Sequence, residues 1–304
     1  MNKINVCVSC DDNYAVYAGV VIASVLANAN DNDNLNFYIL DGGISDIKKQ
    51  QILHLKSIKD CTISFIQINN SDFSEYQCVC THQYITIPSY YRLKLASLLP
   101  NVDKIIYFDC DIVVNSSLKE LFNVEFDKNL IAGVRDINKR MLKRNPHYVN
   151  AGMIVFNLDL IRQEKIEELF LKYTKENFES IKLGDQEILN SVCRGRIKVV
   201  DDTWNVQSSN FTNRSSYENY PKVVHFVATN KPWNGKSFSY HKNLYFKYLQ
   251  LTPWKLKNEE LNDYLKSTAI DYIKYRPLFI LRPRFYGALF NTYIKPLFIK
   301  GGSL

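Results

Sequence analysis

The sequence predicts an α/β fold in which a mostly parallel central sheet is flanked by helices. Short apolar runs rich in β-branched residues alternate with segments of helical composition, and polar turns separate them. Strands and helices that alternate in this way form parallel sheets with crossover helices. The 304 residues, 46% of them hydrophobic and 23% charged, suffice for a large core and exclude a disordered chain or a multi-span membrane protein.

The first third of the chain shows this alternation most clearly. Residues 4–10 predict a strand, and the charge-free stretch 13–30 predicts a buried helix, because its asparagines and acidic flanks disfavour a membrane span. Residues 35–40 predict the second strand, 45–55 a helix that begins with a serine N-cap, and 61–68 the third strand.

The rest of the body continues the pattern. Helices are predicted over 90–98, 160–178 and 185–192, and strands over 104–108, 130–134, 153–157, 197–200 and 222–226. No linker rich in Pro, Gly or Ser divides residues 1–250. We therefore predict one α/β domain over residues 1–255 and a short helical extension over 256–304.

The excess of positive charge belongs to the C-terminal tail. Basic residues outnumber acidic ones 38 to 31, and residues 272–304 hold six basic residues and no acidic one. The body is thus nearly balanced in charge, which argues against a nucleic-acid-binding face. Aromatic residues alternate with the bases of the tail, a composition that suits the surface of an anionic membrane. A tail that packs on the domain is the alternative.

The cysteines and the N-terminus favour a reducing compartment. The seven cysteines are odd in number, and their spacing matches no metal-binding motif. Asp11 and Asp12 interrupt the first apolar run before it could form the core of a signal peptide. We expect a cytoplasmic protein that lies on the inner face of the cell membrane.

Ligands bind beyond the carboxyl ends of strands in open α/β sheets, so the polar residues after predicted strands are the candidate site. Residues 9–14 follow the first strand, although a turn that caps the next helix would have the same composition. Asp109 and Asp111 follow the most apolar strand. Residues two apart in an extended chain point the same way, so both carboxylates can bind one divalent cation, and solvated turn carboxylates are the alternative.

His225 and Lys231 form the third group. A histidine in an apolar run is more often a core residue than a ligand, but here a lysine follows six residues later. Imidazole, carboxylate and ammonium groups together suit a metal-bound phosphate ester. The glycine-rich phosphate loops and the signature motifs of zinc proteases and serine hydrolases do not occur.

Seven segments in this order resemble glycosyltransferase family 8, in particular its bacterial lipooligosaccharide galactosyltransferase branch. They are residues 11–15, 40–45, 91–95, 107–111, 150–152, 185–190 and 225–233. The resemblance implies a GT-A fold with a Rossmann-like sheet. It also implies transfer of a hexose, with retention of configuration, from UDP-galactose or UDP-glucose to a glycan, glycolipid or glycoprotein.

The resemblance further implies the roles of individual residues. Mn²⁺, or Mg²⁺ in its place, would be bound by Asp109, Asp111 and His225, and Lys231 would contact the diphosphate. The family usually has glycine where this chain has Ala228. The positions that match donor-binding residues of the family are Ser9, Asp11, Asn13, Tyr14, Ile85, Arg92, Asp109, Cys110, Asp111, Asp136, Asn150, Ala151, Asp185, Gln186, His225, Ala228 and Lys231.

The catalytic candidates are Gln186 and Asp185. Gln186 matches the position beneath the reactive carbon, and an amide is a poor nucleophile, so we predict front-face attack by the acceptor hydroxyl. Asp185 is the alternative nucleophile, by analogy with retaining glycosidases. Two other functions stay open at this point: a metal-dependent phosphoesterase, and a protein that binds a sugar nucleotide without transferring the sugar.

Overall fold

The computed structural model describes residues 2–76, 87–207, 221–228, 231–234, 241–257 and 259–261. Its strands are β1 (Asn2–Cys10), β2 (Asp33–Asp41), β3 (Cys61–Gln67), β4 (Lys104–Phe108), β5 (Ile112–Val114), β6 (Ile131–Arg135), β7 (Val149–Asn157), β8 (Ile197–Val199), β9 (Val206–Gln207) and β10 (Val223–His225). Its α-helices are α1 (Ala15–Ala27), α2 (Asp46–Leu53), α3 (Ile87–Tyr90), α4 (Leu95–Leu98), α5 (Lys119–Phe122), α6 (Lys139–Arg144), α7 (Leu158–Gln163), α8 (Ile166–Asn177), α9 (Asp185–Val192) and α10 (Lys242–Leu249).

The central sheet confirms the predicted α/β fold. Seven strands lie in the order β3-β2-β1-β4-β7-β6-β8. All neighbours are parallel except β7, which runs antiparallel to both β4 and β6. Alternation of strands and helices could not predict this reversal, because the connection from β6 to β7 is short and contains only α6. A second sheet, in the order β5-β10-β9, lies beside the first.

Helix α1 is the buried helix that its charge-free sequence predicts. Ten of its thirteen residues are buried. Ser24, a polar residue within it, donates its hydroxyl to the Val21 carbonyl over 2.6 Å and accepts the Val114 N–H over 2.9 Å. Asn28 donates to the Val114 carbonyl over 3.1 Å. The polar residues of this segment therefore hold β5 against the helix.

Three local predictions were wrong in detail. The segment 90–98 is not one helix, because a 3-10 turn over Tyr91–Lys94 separates α3 from α4. The segment 160–178 is divided between α7 and α8 by Lys165, whose φ of 54° is left-handed. Ser45 occupies the N-cap position of α2 but its side chain makes no capping hydrogen bond. Instead, its backbone N–H donates to Asp12 Oδ1 over 2.9 Å.

The predicted extension over 256–304 lies almost entirely outside the described residues, and so does the proposed membrane-binding tail. Within the described part of the chain, no helix combines the length and the apolar character that crossing a bilayer requires.

Candidate active site

One cavity of about 430 Å³ opens at the carboxyl ends of β1 and β4. It brings together fifteen of the predicted site residues, namely Ser9, Asp11, Tyr14, Arg92, Asp109, Cys110, Asp111, Asp136, Asn150, Ala151, Asp185, Gln186, His225, Ala228 and Lys231. Asn13 does not line it and donates to Asp11 over 3.5 Å instead. Ile85 lies outside the described residues.

The two sheets meet at the candidate metal ligands. Asp109 follows β4, Asp111 precedes β5, and His225 ends β10. Strand β10 pairs antiparallel with β5 so that His225 lies opposite Ile112, and the Phe226 N–H donates to the Asp111 carbonyl over 2.8 Å. One ligand atom from each of the three side chains lies within 4.8 Å of the others.

The donor set of these three residues fits a divalent cation. Asp111 Oδ1 is buried and has no hydrogen-bond partner, although it lies 3.1 Å from His225 Nε2. Two adjacent ligands of one octahedral cation, each about 2.1 Å from it, lie about 3 Å apart. Burial alone would raise the pKa of Asp111, but the ammonium group of Lys231 beside it holds this pKa well below its usual range. Asp111 therefore stays ionised, as a ligand must.

The side chain of Arg92 binds two of the candidate site residues, Asp109 and Ala151. This buried side chain donates to Asp109 Oδ1 over 2.5 Å and to the Ala151 carbonyl over 2.5 Å. Its Nε lies 3.0 Å from Asp185 Oδ2 but donates to the Ser89 carbonyl over 2.8 Å. Burial raises the pKa of Asp185 to about 6, and Arg92 opposes that rise. One guanidinium thus donates a hydrogen bond to Asp109 and lies as a positive charge beside Asp185.

A chain of amides runs from Asp136 towards the metal ligands. Asp136 Oδ2 accepts hydrogen bonds from Asn150 Nδ2 over 3.1 Å and from Gln186 Nε2 over 3.2 Å. Because a carboxylate only accepts, it fixes which end of the Asn150 amide faces it. Asn150 Oδ1 therefore faces the other way, where it accepts the Gly152 N–H over 3.1 Å and Asn205 Nδ2 over 3.0 Å.

Asn205 completes this chain and sets the tautomer of His225. Because its Nδ2 donates to Asn150, its Oδ1 faces His225 Nδ1 at 3.2 Å. An amide oxygen accepts only from a protonated nitrogen, so in the neutral imidazole, the form that binds a metal, Nε2 carries the lone pair on the side of Asp111. Asn205 is not among the predicted site residues, because this residue ends a 3-10 turn outside every recognisable motif.

The turn after β1 contains a capping residue and also lines the cavity. Asp11 Oδ1 accepts the Tyr14 N–H over 3.1 Å and so caps a 3-10 turn, while Asp11 and Tyr14 both line the cavity. Tyr14 is 39% exposed and meets Tyr17 edge to face, and Tyr17 stacks on Trp233 with ring centroids 3.7 Å apart. This aromatic contact joins the turn to the loop of Lys231.

The loop that contains Lys231 places the ammonium group of this residue in the cavity. Lys231 Nζ donates to the Asp111 carboxylate and, over 2.9 Å, to the Phe226 carbonyl. Ala228 has a left-handed φ of 59°, a conformation that glycine adopts with less strain. Alanine in place of the family's usual glycine therefore adds backbone strain at this position.

Two bacterial proteins resemble this chain in sequence. A putative glycosyltransferase of Haemophilus influenzae is 31% identical over 250 residues, 77% of this chain and 74% of that protein. The lipopolysaccharide 1,2-glucosyltransferase of Escherichia coli K12 is 26% identical over 275 residues, 83% of this chain and 79% of that protein.

Solved structures share the fold. The galactosyltransferase LgtC, in complex with donor and acceptor sugar analogues, superposes with a TM-score of 0.72 at 23% identity and covers 86% of this chain and 100% of its own. The WbbM bifunctional glycosyltransferase gives a TM-score of 0.70 at 25% identity over 83% of this chain, which spans 50% of that longer protein. The sequence model of glycosyl transferase family 8 matches residues 5–237. The chain belongs to glycosyltransferase family 8.

Proposed function

We propose that this glycosyltransferase moves galactose or glucose from a UDP-sugar to a hydroxyl group of a glycan, glycolipid or glycoprotein, with retention of anomeric configuration. The observation that carries the proposal is the meeting of Asp109, Asp111, His225 and Lys231 in one cavity with the turn of Tyr14. Carboxylates beside a lysine suit a cation-bound diphosphate, and an exposed tyrosine suits a uracil ring. The Escherichia coli relative is named a glucosyltransferase and LgtC a galactosyltransferase, so we keep both hexoses in the proposal.

The cation proposed for Asp109, Asp111 and His225 is Mn²⁺, with Mg²⁺ as the alternative. When bound, it would neutralise negative charge that develops on the leaving UDP. Lys231 adds a second positive charge next to Asp111. Arg92 donates a hydrogen bond to the Asp109 carboxylate, so this carboxylate does not have to be ordered when the donor binds.

The contacts of Gln186 support front-face attack. Its Oε1 accepts the Ala151 N–H over 3.0 Å and Asn150 Nδ2 over 3.2 Å, and its Nε2 donates to Asp136. Both ends of the amide are therefore held by the protein, which suits a residue that positions the sugar. Asp185, the alternative nucleophile, is 5% exposed and lies against Arg92.

We also propose that the extension beyond residue 255 anchors the protein to a membrane surface. Within this extension, residues 272–304 hold six bases and no acid, and these bases and the aromatic residues suit peripheral attachment to the inner face of the cell membrane, next to a lipid-linked acceptor. A chain that ends at Asp271 should lose binding to anionic liposomes and keep its turnover on a soluble acceptor. Equal sedimentation of the two chains with liposomes would exclude the anchor.

The function is tested by incubating the protein with a panel of UDP-sugars and Mn²⁺ and measuring the products. Slow release of UDP without acceptor, from UDP-galactose or UDP-glucose and abolished by EDTA, is expected of the transferase. Release of sugar phosphate would indicate a phosphoesterase, and binding without any release would indicate a sugar-nucleotide-binding protein. NMR of the transferred sugar then reports whether the α-configuration of the donor is kept.

A further inference from the structure

A group of unpaired cations lies on a segment whose residues Asp136, Ile137 and Asn138 line the cavity. The segment from Arg135 to His147 holds five lysines and arginines and a single acid, Asp136, which is buried. Outside the C-terminal tail the chain is nearly balanced in charge, so this concentration is local. We name as the basic patch its exposed cations and one neighbour: Arg135, Lys139, Arg140, Lys143, Arg144 and Arg194.

The basic patch is free to bind an anion. Its members form no ion pair with any of the described residues, whereas Lys48, Lys172 and Lys222 elsewhere on the surface all do. Arg194 joins the patch by donating to the Arg144 carbonyl over 3.3 Å. Uncompensated like charges repel one another, which costs stability that an anionic ligand would recover.

Helix α6 begins directly after Asn138, which lines the cavity, and carries four of these cations. Residues four apart lie on the same side of a helix, so Lys139 stands with Lys143 and Arg140 with Arg144. The half-buried Met141 and Leu142 face the protein. The six residues rise about 9 Å, so every cation of α6 lies within reach of a chain that enters the cavity past Asn138.

Asp136 fixes the start of α6 to the proposed sugar site. Its Oδ1 accepts the Asn138 N–H over 2.7 Å, while its Oδ2 accepts from Asn150 and Gln186. Asn138 in turn caps α6 by accepting the Arg140 N–H over 3.1 Å. Asp136, Ile137 and Asn138 all line the cavity. One carboxylate thus sets the position of the patch relative to the transfer reaction.

We propose that the acceptor is an anionic saccharide, bearing phosphate or carboxylate groups, which the basic patch holds while its hydroxyl enters the cavity. This inference rests on the proposed function and names its acceptor class. An anionic membrane is the less favoured partner, since the cations adjoin the wall of the cavity.

The test compares two variants with equal loss of charge. In the patch variant, Lys139→Gln, Arg140→Gln, Lys143→Gln and Arg144→Gln are combined. The control combines Lys3→Gln, Lys56→Gln, Lys119→Gln and Lys128→Gln, four exposed lysines that form no ion pair with the described residues and do not line the cavity. Both variants and the wild type are first checked for release of UDP without acceptor, which reports on the proposed function alone and should be equal in all three.

The probes are an acyl-free lipooligosaccharide core that carries phosphate monoesters, the same core after dephosphorylation, and vesicles with and without 30% phosphatidylglycerol. Calorimetry with UDP and Mn²⁺ should show binding of the phosphorylated core that falls about tenfold in the patch variant and is unchanged in the control. The dephosphorylated core should bind all three proteins equally weakly. Equal binding of the phosphorylated core by wild type and patch variant would overturn the proposal. A patch variant that loses only vesicle binding would overturn it in favour of a membrane contact.

Discussion

Gly152 lies directly beneath the imidazole ring of His225. A Cβ atom on residue 152 would come within 2.6 Å of Nδ1 and 2.9 Å of Nε2, distances that real Cβ atoms do not show. Residue 152 therefore has to be glycine if the ring is to lie where Asn205 and Asp111 meet it. The requirement comes from close approach, since its φ is not among the positive values of the chain.

Gly152→Ala should displace the imidazole and weaken cation binding at least tenfold, the range seen when a ligand loses its support. Mn²⁺ affinity is measured from the EPR signal of the free ion. The control is Gly195→Ala, where a φ of 79° costs stability but no atom lies within 4 Å of the added methyl. Wild-type Mn²⁺ affinity in Gly152→Ala would contradict the assignment of His225 as a ligand.

Asn205→Ala should also weaken Mn²⁺ binding about tenfold, because His225 loses the oxygen that holds its Nδ1 proton. Asn205 acts through His225 and Asn150, and so it is a positioning residue. Asn129→Ala, which removes a partly buried amide far from the cavity, is the control. If Asn205→Ala lost stability but kept its Mn²⁺ affinity, the amide chain would have only a structural role.

Some elements were predicted to the residue and others could not be. Strand β4 and helix α9 have the predicted bounds, because a short apolar run and a helix after Gly184 are local signals. The 3-10 turn at Tyr91–Lys94 was predicted as α-helix, because its composition is helical and only the packed fold buries Tyr91, Arg92 and Leu93 in succession.

The candidate site also contains some residues that could be predicted from the sequence and others that could not. Asp109 and Asp111 are two residues apart and follow an apolar strand, so their convergence could be predicted from spacing. The contribution of Asn205 depends on β9 and β10 pairing beside β5, which no local pattern of residues encodes. The clash that forbids a side chain at Gly152 is likewise visible only after folding.

Gln186→Ala should slow transfer without abolishing it. The variant loses the hydrogen bonds to Ala151, Asn150 and Asp136 that we propose hold the donor site in shape, but it loses no nucleophile. Steady-state UDP release measures the residual rate, and mass spectrometry of the intact protein shows whether sugar becomes attached. A covalent sugar on Gln186 or Asp185 would refute front-face attack.

Ala228→Gly should raise the free energy of unfolding by about 1 kcal/mol, because alanine at a φ of 59° is strained and glycine is not. Urea unfolding measures the change. Ala27→Gly, at the exposed last residue of α1, should have the opposite sign, because glycine loses more conformational entropy on folding and no strain is relieved there. Equal destabilisation by both substitutions would show that Ala228 is not strained.

Asp109, Asp111 and His225 are proposed to hold the cation that binds the donor diphosphate. Calorimetric titration of UDP, first with Mn²⁺ and then with EDTA, tests this assignment on the wild type, on His225→Ala and on His54→Ala. His54 is an exposed histidine outside the cavity and serves as the control. UDP should bind the wild type and His54→Ala only with Mn²⁺, and His225→Ala should lose at least tenfold in affinity. UDP binding that is equally strong in EDTA, or unaffected by His225→Ala, would contradict the assignment.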